Sequence, residues 1–271
     1  MEPTFPINPF SDAYLAQEIR FYALPSGVHR FGAVESRYLR KPDGPCDDYF
    51  NQHYRKALPP IPAFFINHKL WMSLAPLEVQ SCAVAIAMAR GRVATAGLGM
   101  GYFALRAAAK PEVEEVVVYE RHSDVIAAFN SLFWQRPERL KITVIKGDVR
   151  ELLRDREFDL VYMDPYLELL PDDVIDDARW FRANNSIKHY RFWGLERVLL
   201  DALIADENPF LFPWEAALFK AWLVSPVREG EPTMKRDLYM PITDAAFRAR
   251  VIAELDHPQE RVLMPRKAAV R

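Results

Sequence analysis

Three glycines at alternate positions, Gly97, Gly99 and Gly101, close the apolar run 93–96 and open the alanine-rich segment 103–110. A loop without side chains lets a ligand approach the main chain, and a helix starting behind it favours negative charge there. Acids follow at intervals that suit the same ligand. Glu120 ends the β-prone run Val113–Glu120, about 20 residues downstream, where a ribose diol needs a carboxylate that accepts from both hydroxyls. Asp148 follows the run 140–146, and Asp164 follows the run 158–163 and opens Asp164-Pro165-Tyr166. Bare backbone followed by acids in this order predicts a nucleotide-type cofactor site.

Each of these residues needs a strand end to hold it. The pattern supplies a strand at 93–96 and a helix at 103–110, then a strand at 113–120 and a helix at 124–132 with Ser123 as its N-cap. A strand at 140–146, a short helix at 149–154 and a strand at 158–163 complete the series. Strands alternating with helices across short links predict an α/β fold with a parallel doubly wound sheet, whose ligands bind at the carboxyl ends of the strands.

Upstream, the mostly apolar segment 76–90 predicts a helix, with Pro76 in its first turn and Gly91 as its C-terminal stop. Residues 64–72 read as a short hairpin turning near Asn67-His68, and 27–40 as a strand pair turning near Gly32. The rest of 1–70 is rich in proline and aromatics and poor in helical period, and His53 within it reads as a surface or packing residue. Downstream, 171–177 is acidic, a long helix is expected over 185–205 and a buried one over 213–224. No glycine-led strand of the kind that follows a fifth helix is evident, so the sheet is expected to be edited on that side. The resulting division is an N-terminal extension, 1–72, a cofactor-binding core, 73–225, and a C-terminal tail, 226–271, packed on the core.

With 271 residues, half of them apolar, the chain can bury one large core. Its net charge of −2 gives no global pull toward nucleic acid or anionic membrane. The sequence-clustered Arg136, Arg139, Lys141, Lys146, Arg150, Arg154 and Arg156 read first as a solvated rim. Cys46 and Cys82 match no metal spacing and no disulfide framework, and Cys82 reads as an inert core thiol. Without a signal-like N-terminus or an apolar run of about 18–20 residues, a cytoplasmic protein without membrane attachment is expected.

The dinucleotide fingerprint G-x-G-x-x-G fails here, because Tyr102 stands where its third glycine belongs. The spacing Gly97-x-Gly99-x-Gly101 instead resembles motif I of class I S-adenosylmethionine-dependent methyltransferases. That resemblance implies a Rossmann-like class I methyltransferase fold with S-adenosyl-L-methionine as cofactor. Gly97, Gly99 and Gly101 would lie beneath the methionine and ribose, with Glu120 on the ribose and Asp148 near the adenine amine. Asp164 and Tyr166 would occupy the substrate-facing motif, Asp164 also serving the methionine end of the cofactor. Asp164-Pro165-Tyr166 is similar to the Asp/Asn-Pro-Pro-Tyr motif of amino-group methyltransferases, with one proline fewer. Thr95 departs from the pattern, since many members carry an acid two residues before the first glycine.

The layout of β-like N-terminus, hairpin, helix and glycine loop also resembles the spermidine synthases, aminopropyltransferases of the same fold. The chain is most similar to spermidine-synthase-like methyltransferases. Three functions follow from these resemblances: a methyltransferase with an unknown acceptor, an amino group among the candidates; an aminopropyltransferase, with Asp172, Asp173, Asp176 and Asp177 facing a polyamine; or a cofactor-binding protein without turnover. The acceptor expected is a small molecule, nucleic acid is the alternative, and assembly into a homo-oligomer stays open.

Overall fold

The computed structural model describes residues 12–39, 46–47, 53–54, 59–154, 156–166, 177, 180–181 and 183–194. The chain enters with helix α1 (Asp12–Phe21), within a stretch whose sequence is poor in helical period. Strands β1 (His29–Phe31) and β2 (Val34–Leu39) turn at Gly32, whose φ of 57° suits the turn. A short antiparallel pair follows, β3 (Cys46–Asp47) with β4 (His53–Tyr54). Strands β5 (Ile61–Ile66) and β6 (Lys69–Ser73) then form a hairpin. Both of its turn residues, Asn67 at φ 49° and His68 at φ 64°, are left-handed, as a two-residue turn with the strand-matching twist requires. These strands form an antiparallel sheet in the order β1-β2-β5-β6.

Helix α2 (Pro76–Met88) leads into β7 (Gly91–Ala96), and α3 (Tyr102–Ala108) into β8 (Val113–Glu120). Helix α4 (Ser123–Phe133) and the 3-10 turn Pro137–Lys141 precede β9 (Ile142–Lys146). The four-residue α5 (Val149–Leu152) then links to β10 (Glu157–Met163), and the last described strand is β11 (Ser186–Phe192). The strands form one parallel sheet in the order β11-β10-β7-β8-β9.

Three local readings are corrected. The segment expected to be a helix over 185–205 is, in its described part, β11, paired residue by residue with β10 from Glu157↔Ser186 to Met163↔Phe192. The described sheet therefore has β11 as its edge strand beside β10. The third parallel strand starts at Ile142, because Pro137 tightens the chain into a 3-10 turn that leaves Leu140 92% exposed. His122 rather than Ser123 is the N-cap of α4, with no side-chain cap bond. The expected helix at 213–224 and the tail lie outside the described residues.

The chain winds from β7 outward through β8 to β9 and returns to the other side of β7 for β10 and β11. Right-handed crossovers therefore place their connections on opposite faces of the sheet. Burial follows this winding with the strand period of two. Val116, Val118, Leu160 and Tyr162 share a core with α1, α2, α3 and α4. Their neighbours Val117, Tyr119, Val161 and Met163 are buried too, but not in that cluster. On this second face Phe181 packs against Tyr190, with ring centroids 6.3 Å apart. The strand order reverses between β7 and β10, and at that point the chain leaves a crevice beyond the carboxyl ends.

Candidate functional site

A cavity of about 720 Å³ fills that crevice. Its strand-end wall is made by Gly97 and Gly99 after β7, Glu120 at the end of β8, Asp148 after β9, and Asp164 and Tyr166 after β10. Its other wall comes from the hairpin, including Leu70, Trp71 and Met72, and from Leu77 and Glu78 on the first turn of α2. Six of the seven residues singled out in the sequence thus meet around one space.

Gly101 is the exception and does not line the cavity. With φ 79° it is the N-cap of α3, and a side chain there would collide with the Phe129 ring. Its bareness lets α3 start tightly against α4. Gly97, at φ 86°, leaves room for the main-chain oxygen of Asp164, which an added Cβ would strike. Gly99, at φ 53°, faces Met72, whose Sδ would lie 2.9 Å from an added Cβ. The glycine loop is therefore pressed between the β10 end and the hairpin, and its main chain faces the open space between them.

Hydrogen bonds tie the strand ends together. Gly97 N–H donates to Tyr119 O at 2.9 Å, Asp164 N–H to Ala96 O at 2.8 Å, and Gly147 N–H to Glu120 O at 2.9 Å. The Glu120 carboxylate accepts from Leu98 N–H at 2.9 Å through Oε2 and from His122 N–H at 2.7 Å through Oε1. A carboxylate offers about four lone-pair sites, so each oxygen retains one for a ligand. Asp148 caps α5, with Oδ1 accepting from Arg150 N–H at 2.8 Å, while Oδ2 lies 3.6 Å from Arg121 Nη1. The turn-capping role that an acid commonly takes after a strand is thus real at Asp148, and the residue still faces the cavity.

Tyr166 is fixed from behind. Its hydroxyl donates to Asp177 Oδ2 at 3.1 Å, and Asp177 also holds Arg150, whose Nε is 3.0 Å from Oδ1. Burial, then the charge of Asp177, pushes the Tyr166 phenol far above its ordinary range. Asp177 is therefore committed to Arg150 and Tyr166 rather than open to a polyamine; Asp172, Asp173 and Asp176 lie outside the described residues. Thr95 is buried and its hydroxyl donates to Gly97 O at 3.4 Å, so this position stiffens the loop and brings no charge.

Sequence reasoning passed over Glu78. It stands in the first helical turn beside Pro76, where an acid is favoured by the helix dipole on any surface. In the fold it borders the cavity close to Asp164. Burial pushes its carboxyl up to about 7, and Asp164 is raised well above the usual range by burial, then by Glu78 and Glu120. The available signal was a lone acid in an otherwise apolar helix. Trp71 and Trp193 were also missed as lining residues; Trp193 is oriented by its indole N–H, which donates to Ser81 Oγ at 2.9 Å.

Four of the seven basic residues that cluster in sequence are engaged within the fold, and Lys146, Arg154 and Arg156 are exposed. Arg136 binds Glu138 and Phe21 O, Arg139 binds Asn130 and Ile142 O, and Lys141 donates to Lys110 O and Val113 O. Arg150 pairs with Asp177. Cys82 is buried, with burial holding its thiol well above its ordinary value. Among the described residues no group of three or more His, Cys, Asp or Glu could hold a metal ion, and no helix is long and apolar enough to cross a membrane.

Fold and site together define a doubly wound, Rossmann-like α/β protein with a nucleotide-sized crevice at its switch point. No protein-family model matches the sequence, and no curated protein does. Solved structures of similar architecture include spermidine synthase from Thermotoga maritima, 12% identical over 60% of this chain and 53% of that one, with a TM-score of 0.38. The CcbJ methyltransferase from Streptomyces caelestis is 20% identical over 41% of this chain and 48% of that one, at 0.34. The glycopeptide N-methyltransferase MtfA, complexed with S-adenosylmethionine, is 21% identical over 37% and 45%, at 0.30. The chain thus spans about half the length of these proteins.

Proposed function

We propose that this protein is an S-adenosylmethionine-dependent methyltransferase. The observation that carries the reading is the convergence of Gly97, Gly99, Glu120, Asp148 and Asp164 on one cavity at the sheet's switch point. The residues fit such a cofactor. The loop offers bare backbone that a Cβ would fill, Glu120 keeps lone pairs for a ribose diol, and Asp148 faces the same space near the end of β9. Gly101 serves this site indirectly, by seating α3. The cavity volume falls within the range of about 300–1,000 Å³ usual for ligand pockets.

When bound, the cofactor supplies an electrophilic methyl group, so the protein's part is chiefly to align a nucleophile with it. Asp164 holds the methionine end or accepts a hydrogen bond from the incoming nucleophile. Tyr166 presents its ring, held by the bond of its hydroxyl to Asp177. Trp71 and Leu70 shape an apolar side suited to a small-molecule acceptor, an amino group being the nucleophile that best matches the neighbouring carboxylates. The internal engagement of Arg136, Arg139, Lys141 and Arg150 leaves a smaller basic surface for nucleic acid.

Calorimetry with S-adenosylhomocysteine tests the reading. Binding by the native protein, weakened in Glu120→Ala, is expected; no binding at all sinks it. Incubation with decarboxylated cofactor and putrescine separates methyl from aminopropyl transfer, the second activity requiring spermidine to appear.

A further inference from the structure

We infer that Glu78 and Asp164 form one cation-recognising carboxylate pair, with Glu78 supplying from helix α2 the negative charge that the chain lacks at Thr95 before its glycine loop. The inference rests on the cofactor reading above and names the group that recognises the positively charged end of the ligand.

Helix α2 begins on the cavity wall, where Ala75, Leu77 and Glu78 all face the space. The remainder of the helix turns into the core, with Val79, Cys82, Ala83, Val84, Ala85 and Ile86 buried. Glu78 is thus the one acid of α2, placed where the helix meets the cavity. Among the described residues no basic side chain pairs with Glu78 or with Asp164. The arginines of the wall are engaged elsewhere, Arg121 beside Asp148 and Arg150 on Asp177. Two carboxylates lining one cavity carry a cost in mutual repulsion when both are ionised. A ligand that brings a positive charge into the cavity removes that cost, and a neutral ligand of the same shape does not.

Among the described residues, the groups around Glu78 come from several elements. Cys82 lies one turn along α2, its Sγ 4.0 Å from Glu78 Oε1. Tyr22, after α1, and Tyr162, on β10, both feel the Glu78 charge. Asp164 and Glu120 extend the negative potential along the strand ends, and Arg121, His122, Asp148 and Arg150 stand farther round the cavity. Burial raises both members of the pair, Glu78 to about 7, so the free pair takes up a proton more readily than an ordinary carboxylate does. A bound ammonium or sulfonium stabilises the doubly ionised pair and expels that proton. Binding therefore tightens as pH rises toward the free pair's titration and levels off above it.

The test is calorimetric titration of the full-length protein with S-adenosylhomocysteine, whose amino-acid end carries an ammonium, in buffers of different ionisation enthalpy. Below neutrality the native protein is expected to release close to one proton per ligand, with affinity rising up to about tenfold per pH unit. Glu78→Gln is expected to bind about tenfold or more weakly above neutrality and to lose most of the pH dependence, which separates Glu78 from His122 as the titrating group. Binding without proton release, or a folded Glu78→Gln variant with an unchanged pH profile, overturns the inference and leaves the cofactor reading standing. No binding by the native protein overturns both. If the variant does not fold, His122→Ala decides instead: proton release retained supports the pair, and proton release lost overturns it.

Discussion

The strand-end wall of the cavity is backbone and carboxylate held by a parallel sheet, whereas the hairpin wall is Leu70, Trp71 and Met72 on two antiparallel strands. On the first wall, ladder hydrogen bonds run across β10, β7, β8 and β9, and each site residue follows or ends one of them. On the second, Leu70 is 53% exposed and Trp71 36% exposed, with side chains turned to space. A wall built from ladder ends suits a ligand recognised by hydrogen bonds and charge. A wall built from exposed apolar side chains on a hairpin can change its residues without disturbing the sheet. The difference separates, within one cavity, the part that would hold a common cofactor from the part that would choose the acceptor.

The sharpest way to break that separation is Gly97→Ala. The new Cβ would strike Asp164 O at a left-handed backbone position, and such strain costs about 1–3 kcal/mol before the clash is added. The expected result is loss of measurable S-adenosylhomocysteine binding together with a clear fall in the unfolding midpoint; native-like binding and stability would show that the two strand ends are not pressed together. Glu120→Ala should come next. It removes the acceptor of two main-chain N–H groups, each charge-assisted bond worth about 1.5–3 kcal/mol, so affinity should fall about a hundredfold by calorimetry.

Trp71→Ala sharpens the contrast from the other wall. Turnover of an accepted substrate should drop tenfold or more, S-adenosylhomocysteine affinity should stay within about twofold, and the melting curve should hardly move, because an exposed side chain contributes little to stability. A parallel loss of cofactor affinity would mean the two walls bind one ligand jointly. The smallest effect is expected of Tyr166→Phe, which keeps the ring and loses the bond to Asp177, about 1 kcal/mol in chemical denaturation.

How far the sequence spoke differs between these walls for a physical reason. The run 93–96, the glycines and the helix behind them are contiguous, so local composition already encodes strand, loop and helix. Glu120, Asp148 and Asp164 were legible because each follows a β-prone run, and a parallel sheet delivers strand ends to one side. The hairpin was legible as a hairpin, yet nothing local to Trp71 says that it overhangs a loop some 25 residues later. Strand β11 was misread because Ser186–Phe192 owes its extended form to pairing with β10, a contact remote in sequence. Glu78 escaped notice for the opposite cause: its local setting, beside a helix-starting proline, has an ordinary explanation that conceals what it faces.

Helix α1 carries one further consequence. Glu18 is buried and grips Arg106 of α3 twice, Nε to Oε2 at 2.7 Å and Nη2 to Oε1 at 2.9 Å, and it also accepts from the Tyr102 hydroxyl at 3.0 Å. The Tyr22 hydroxyl donates to Met100 O, inside the glycine loop itself. The segment before the antiparallel sheet is thus a keystone set from outside the α/β core. Anyone recombining this fold with another N-terminal module must carry residues 12–24 along with the loop, or the arginine of α3 is left charged and alone against the core.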